Sequence, residues 1–94
     1  MDGRAEYKVD SGKLLRADVT FGDRFEHVTL HGDFFVYPEQ ALDRIEAAVE
    51  DMDVDASSEE IAERIATAAG DAALVGFDAA DVAQVVREAV GDDG

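Results

Sequence analysis

The sequence predicts an α+β fold, an antiparallel β-hairpin or small sheet packed against about three amphipathic helices. Apolar and polar residues alternate with a period of two between positions 15 and 30, and apolar residues recur at helical spacing in three later segments. The strand-like pattern ends before the helical one begins, which is the order of an α+β layer rather than of alternating βαβ units.

Leu15, Ala17, Val19 and Phe21 alternate with Arg16, Asp18 and Thr20, the signature of a half-buried strand. Gly22, Asp23 and Arg24 supply a turn. Residues 25–30 alternate again, but Phe25 is out of phase with Val28 and Leu30, so a bulge is expected near Glu26 and His27. Pro38 suits the first position of a helix running to about Asp51, with Leu42, Ile45, Val49 and Met52, joined by Ala41 and Ala48, as its apolar stripe. Ser57 and Glu60 form a capping-box pattern for a second helix over about 58–69, carrying Ile61, Ile65 and Ala68 and closed by Gly70. Asp78 caps a third helix. Phe77 and Val82 can staple its first turn, and Val85, Val86, Ala89 and Val90 extend its stripe to Gly91. Residues 1–5 and 92–94 are expected to fray, leaving an ordered core of about 8–90.

At 94 residues the chain has room for one domain with one modest core, and too little for a two-domain enzyme with a deep cleft. The stripes are rich in Ala and Val, so they bury little area per residue. A thin stability margin follows, to be completed by a partner or by high salt. The absence of cysteine excludes disulfides, thiol nucleophiles and Cys-based zinc sites. With no long apolar run and no signal-peptide pattern at its start, the chain reads as cytoplasmic.

The net charge of -15 comes from 14 Asp and 9 Glu against 6 Arg and 2 Lys, spread along the whole length. Binding to bare nucleic acid or an anionic membrane is disfavoured. Self-repulsion on this scale is relieved at about 1 M salt, where the Debye length is roughly 3 Å, so a halophilic origin is expected. Individual exposed carboxylates then carry little functional meaning.

Catalytic patterns are missing. His27 and His31 lie four apart on a strand, roughly 13 Å at about 3.3 Å per residue, too far to share one metal ion. Gly12 and Lys13 lack the rest of a phosphate-binding loop. Ser11, Ser57 and Ser58 have no neighbouring histidine, and two of them are explained as helix starts. No catalytic residue, bound cofactor or metal site is expected.

The stretch HGDFFVYPE, residues 31–39, concentrates Phe34, Phe35 and Tyr37 in a chain with seven aromatics. Phe34 and Phe35 are consecutive in an extended segment and so point to opposite faces. Two readings stand: all three aromatics fill one core, or one phenylalanine enters the core while the other faces a partner together with Tyr37. Gly32 would permit close backbone approach and Asp33 could turn or cap the segment. Lys13 is either a solvated strand start or a contact to an anion or partner.

Lys8-Val9, Gly12-Lys13-Leu14-Leu15, the hairpin, Gly32-Asp33-Phe34-Phe35 and Tyr37-Pro38-Glu39 before a Leu/Ile-striped helix together resemble the accessory domain of lipoate-protein ligases. The nearer likeness is to the separate small subunit of archaeal two-component ligases. Val75-Gly76-Phe77 leading into Ala80-Asp81-Val82-Ala83 extends it to about residues 8–90, and Gly-Asp-Phe-Phe followed by Tyr-Pro-Glu is its most specific part. The chain has Val9-Asp10-Ser11-Gly12-Lys13 where the family pattern reads Val-Pro-Gly-Gly-Lys. The resemblance implies a non-catalytic subunit that packs on a large catalytic subunit. That larger partner holds lipoate and ATP, forms lipoyl-adenylate with release of pyrophosphate, and passes the lipoyl group to acceptor domains. Lys13, Gly32, Asp33, Phe34, Phe35 and Tyr37 are then the expected partner-facing residues. The alternative is a free-standing acidic interaction module unrelated to lipoate.

Overall fold

A computed structural model describes residues 1–9 and 13–91. The expected loop residues Asp10, Ser11 and Gly12 and the expected fraying of 92–94 lie outside this range. The elements are β1 (Asp2–Lys8), β2 (Leu14–Phe21), β3 (Phe25–Gly32), β4 (Phe35–Tyr37), α1 (Gln40–Val49), α2 (Ser58–Ala69), β5 (Ala73–Val75) and α3 (Ala79–Ala89). The fold is α+β, with a three-stranded antiparallel sheet in the order β1-β2-β3 and a separate antiparallel pair β4-β5.

The β2-β3 hairpin forms as its alternation requires, with Leu15, Ala17 and Val19 facing Leu30 and Val28 on the buried side. Thr20 pairs with His27 but Phe21 pairs with Phe25, which leaves Glu26 as the extra residue of the bulge and lets Phe25 turn fully inward. β1 corrects the expectation of a frayed start. Asp2 to Lys8 pair in unbroken register with Thr20 to Leu14, and Met1 exchanges backbone hydrogen bonds with Phe21. Gly3 is required here, because a Cβ would stand 1.8 Å from the Ala89 carbonyl oxygen where α3 crosses β1.

The helices cover the inner face of the sheet. α1 lies against β3, α3 against β1 and β2, and α2 packs its backbone against the other two helices. Ile45, Ile61, Ile65, Val82 and Val85 meet Leu15 and Phe25 in one core, all at or below 1% exposure. Ser57 accepts a hydrogen bond from the Glu60 N–H at 3.2 Å, and Asp78 and Asp81 form a complete reciprocal capping box at 3.0 Å each way. Pro38 does not open α1 as expected. The helix starts at Gln40, and the Pro38 and Glu39 carbonyls take the first bonds, from Ala41 and Leu42. Arg87 of α3 donates to the Val54 and Ala56 carbonyls, fastening the segment between α1 and α2 to the third helix.

The outer edge of β3 is closed by side chains. The N–H groups of Val28 and Leu30 point away from β2 and donate to Glu50 and Glu46 of α1, at 3.1 and 2.8 Å. Helix residues four apart rise about 6 Å and strand residues two apart about 6.6 Å, so the two carboxylates match the spacing of the two amides.

Candidate functional site

The apolar surface is concentrated on the small β4-β5 pair. Phe35 opposes Val75 and Tyr37 opposes Ala73, and side chains on one face of a strand alternate with those on the other. Val36, between the two aromatics, is buried, while Phe35 is 61% and Tyr37 58% exposed. Their rings stack at 6.3 Å between centroids and 16° between planes. Phe34 turns the opposite way and packs, half-buried, against the ring of Phe77 at 4.7 Å. Of the two readings left open by the sequence, the structure has one phenylalanine inside and the other outside with Tyr37.

Two hollows flank Phe35. One, of about 410 Å³, lies between Phe35, Tyr37, Glu39 and Leu42. The other, of about 320 Å³, is lined by Lys13, Gly32, Asp33, Phe34 and Phe35. The six residues singled out in the sequence thus meet at one end of the molecule. Gly32 has φ 153°, and a Cβ there would lie 2.1 Å from the Leu14 carbonyl oxygen, so the close approach expected of it is real. The same carbonyl accepts the Asp33 N–H at 3.1 Å. Lys13 is exposed at the strand start, its stem level with Gly76. Sequence reasoning missed Val75 and Leu14, exposed apolar residues at 47% and 45%. The short apolar run Leu74-Val75 was the only sign of β5, and nothing local says that it pairs with residues nearly forty positions earlier.

A second concentration of functional groups lies on the solvent face of the larger sheet. Asp18 of β2 accepts the Arg4 Nε–H at 2.6 Å and sits 3.7 Å from Arg16 Nε and 3.3 Å from His31 Nε2. The hydrogen bond from Arg4 and the charges of Arg4, Arg16 and His31 outweigh partial burial and hold the Asp18 carboxyl below its ordinary value. Glu46 moves the other way: desolvation raises it, with help from Asp43 and Glu50, against the Leu30 N–H and His31. His27 and His31 are both exposed on β3, His27 lying 3.9 Å from Glu50. Among the described residues no group of three or more His, Cys, Asp or Glu side chains is placed to hold a metal ion. No described helix is long and apolar enough to cross a membrane.

No protein-family model and no curated protein matches the chain. Its fold is similar to that of a chain in the solved structure of an archaeal lipoylation system, a bi-partite lipoate protein ligase and its E2 lipoyl domain from Thermoplasma acidophilum. The TM-score is 0.75 at 24% sequence identity, over 93% of this chain and 96% of that one. The two chains are therefore of nearly equal length and share the fold from end to end.

Proposed function

We propose that this chain is the non-catalytic subunit of a two-component lipoate-protein ligase, acting with a large catalytic subunit in ATP-dependent lipoyl-adenylate formation. The observation that carries the reading is the end-to-end likeness of fold to a chain of the archaeal lipoylation system. The Gly32-Asp33-Phe34-Phe35 and Tyr37-Pro38-Glu39 stretches, which resemble the ligase accessory subunit, support it by falling at the exposed apolar end of the molecule.

In this reading the larger partner holds lipoate and ATP, and this chain supplies a surface. Phe35, Tyr37 and Val75 are large apolar side chains on a rigid strand pair, the kind of group that anchors an interface when it enters a pocket on the other protein. Packing there would cover the flanking hollows, exclude water from the adenylation site and fix its geometry. Release of the contact would open the site for transfer to a lipoyl-acceptor domain. The work is done in the cytoplasm of a salt-rich archaeal cell, in keeping with the charge of -15.

Lipoate-dependent exchange of labelled pyrophosphate into ATP tests this, measured in concentrated KCl for the catalytic subunit with and without this chain. Exchange that requires both chains is the expected result. Equal exchange by the catalytic subunit alone would remove the accessory role and leave a free-standing acidic interaction module.

A further inference from the structure

The two edges of the larger sheet are finished differently. The outward amides of β3 are taken by Glu46 and Glu50, whereas β1 forms the other edge and no strand pairs with it among the described residues. Met1 and Phe21 exchange backbone hydrogen bonds and Val9 donates to the Lys13 carbonyl, so the odd-numbered residues of β1 turn their backbone groups toward β2. The N–H and C=O groups of Asp2, Arg4, Glu6 and Lys8 therefore point to the open edge. Their side chains are exposed too, and alternate acid, base, acid, base along a strand paired to β2 in unbroken register.

Charged side chains ordinarily blunt such an edge against other strands. This edge is complementary to itself. With β1 of a second copy laid antiparallel and the two Ala5 residues opposite each other, Asp2 meets Lys8 of the second copy and Arg4 meets its Glu6. In each of these pairs both backbones face the seam, so both hydrogen bonds of the pair can form. Within one chain Arg4 already opposes Asp18 and Glu6 opposes Arg16, so Asp18, Arg4, Glu6 of the second copy and Arg16 of the second copy stand in one row of alternating sign. On the inner face the seam sets Ala5 on Ala5 and Gly3 on Tyr7, and no two bulky side chains compete for space. Ala5 and Tyr7, half-buried in the single chain, gain cover. A shift of two residues either way spoils the match, setting Arg4 on Arg4 with Asp2 on Glu6, or Glu6 on Glu6 with Arg4 on Lys8.

We propose that β1 is the seam of a homodimer, in which two copies join edge to edge about a two-fold axis and their larger sheets become one continuous antiparallel sheet. The contact is isologous and uses each β1 edge once, and the glutamate-sealed β3 edge stops further growth, so assembly closes at the dimer. The net charge of -15 on each copy opposes approach at long range, and pairing is therefore expected in concentrated KCl, where that repulsion is screened. The inference rests on β1 and stands or falls independently of the lipoylation reading.

Sedimentation equilibrium of the full chain in concentrated KCl tests this, with twice the chain mass as the expected result. Arg4→Glu alone sets acid against acid in both central rows, and Glu6→Arg alone sets base against base, so each should dimerise about ten-fold more weakly or worse. Mixing the two variants puts opposite charges back in both rows and should restore the dimer. Asp2→Lys and Lys8→Glu make a second complementary set at the strand ends, for use if loss of the Arg4 bond to Asp18 unfolds the chain. Amide exchange reads the register directly: the Arg4 and Glu6 N–H groups should exchange slowly in the dimer and fast in the dilute monomer. A parent chain that stays monomeric at high protein concentration would overturn the proposal. So would a dimer that survives the single variants, that mixing does not restore, or that Phe35→Ala abolishes in their place.

Discussion

Phe34 and Phe35 are chemically identical neighbours that the backbone sends to opposite sides, and their truncation should separate cleanly. Phe34→Ala removes a ring packed on Phe77 and the core edge, and should lower folding stability by about 2 kcal/mol. Phe35→Ala and Tyr37→Ala remove mostly solvated rings and should stay within about 0.5 kcal/mol of the parent chain. Urea titration followed by circular dichroism measures all three, and a large loss in Phe35→Ala would show the ring to be structural. Gly32→Ala is a sharper case. The new Cβ meets backbone at 2.1 Å in a conformation that alanine rarely adopts, so the loss should exceed about 2 kcal/mol and the end of β3, with the turn into β4, should shift away from Leu14. The opposed faces of Phe34 and Phe35 and the need for glycine at position 32 were legible in the sequence, because both follow from local backbone geometry. Which phenylalanine faces outward was not, since that depends on Phe77, more than forty residues away.

Elements show the same division between local and distant causes. α2 and α3 were readable because Ser57, Asp78 and the residues that follow them cap their own helices. β1 was missed because its inward residues, Gly3, Ala5 and Tyr7, are small or only half-buried, and its outward ones are all charged, so the alternation lacks an apolar signal. The Glu46 and Glu50 contacts that tie α1 to β3 were hidden for another reason, since in a chain this acidic two more glutamates look like solvated surface. Their role can be measured through pH. Glu46 has a folded value above its ordinary 4.5, so its ionised form opposes folding at neutral pH. As pH falls through that raised value the folded state takes up the proton first, and the penalty disappears by about 4.5. Glu46→Gln keeps an acceptor for the Leu30 N–H without the charge, and should be more stable than the parent at pH 7 by a margin that shrinks on acidification. Glu46→Ala leaves that amide without its acceptor and should lose about 1 kcal/mol. Thermal melts across this pH range decide it, and a Gln variant whose margin over the parent is no larger at pH 7 than at 4.5 would contradict the assignment. Asp18 runs the opposite way, its stabilisation present above its ordinary 3.8 and lost as pH falls through its lowered folded value.

For the whole molecule, the proposed function was legible only as a resemblance, because the motifs of the sequence point to no particular chemistry and the surfaces on which the proposal rests are assembled from distant segments. Those surfaces are set by a balance that salt should control. A small core of alanine, valine and isoleucine holds together a body of net charge -15, and the repulsion acts mainly between exposed groups separated by more than hydrogen-bond distance. At about 0.1 M salt the screening length is roughly 10 Å, and at about 1 M it is roughly 3 Å. The melting temperature should therefore climb steeply with KCl up to about 1 M and then flatten, since beyond that point little repulsion is left to screen. A rise that continues in proportion to salt would instead indicate strengthened apolar burial through exclusion of salt from the surface, as sulfate produces. The two causes also differ in which variants they touch. Screening predicts that replacing exposed glutamates of α2, such as Glu59 and Glu63, by glutamine raises the low-salt melting temperature and leaves the high-salt value unchanged. If the gain were the same at both salt concentrations, charge would not be what limits this fold, and the case for a salt-rich setting would lose its physical basis.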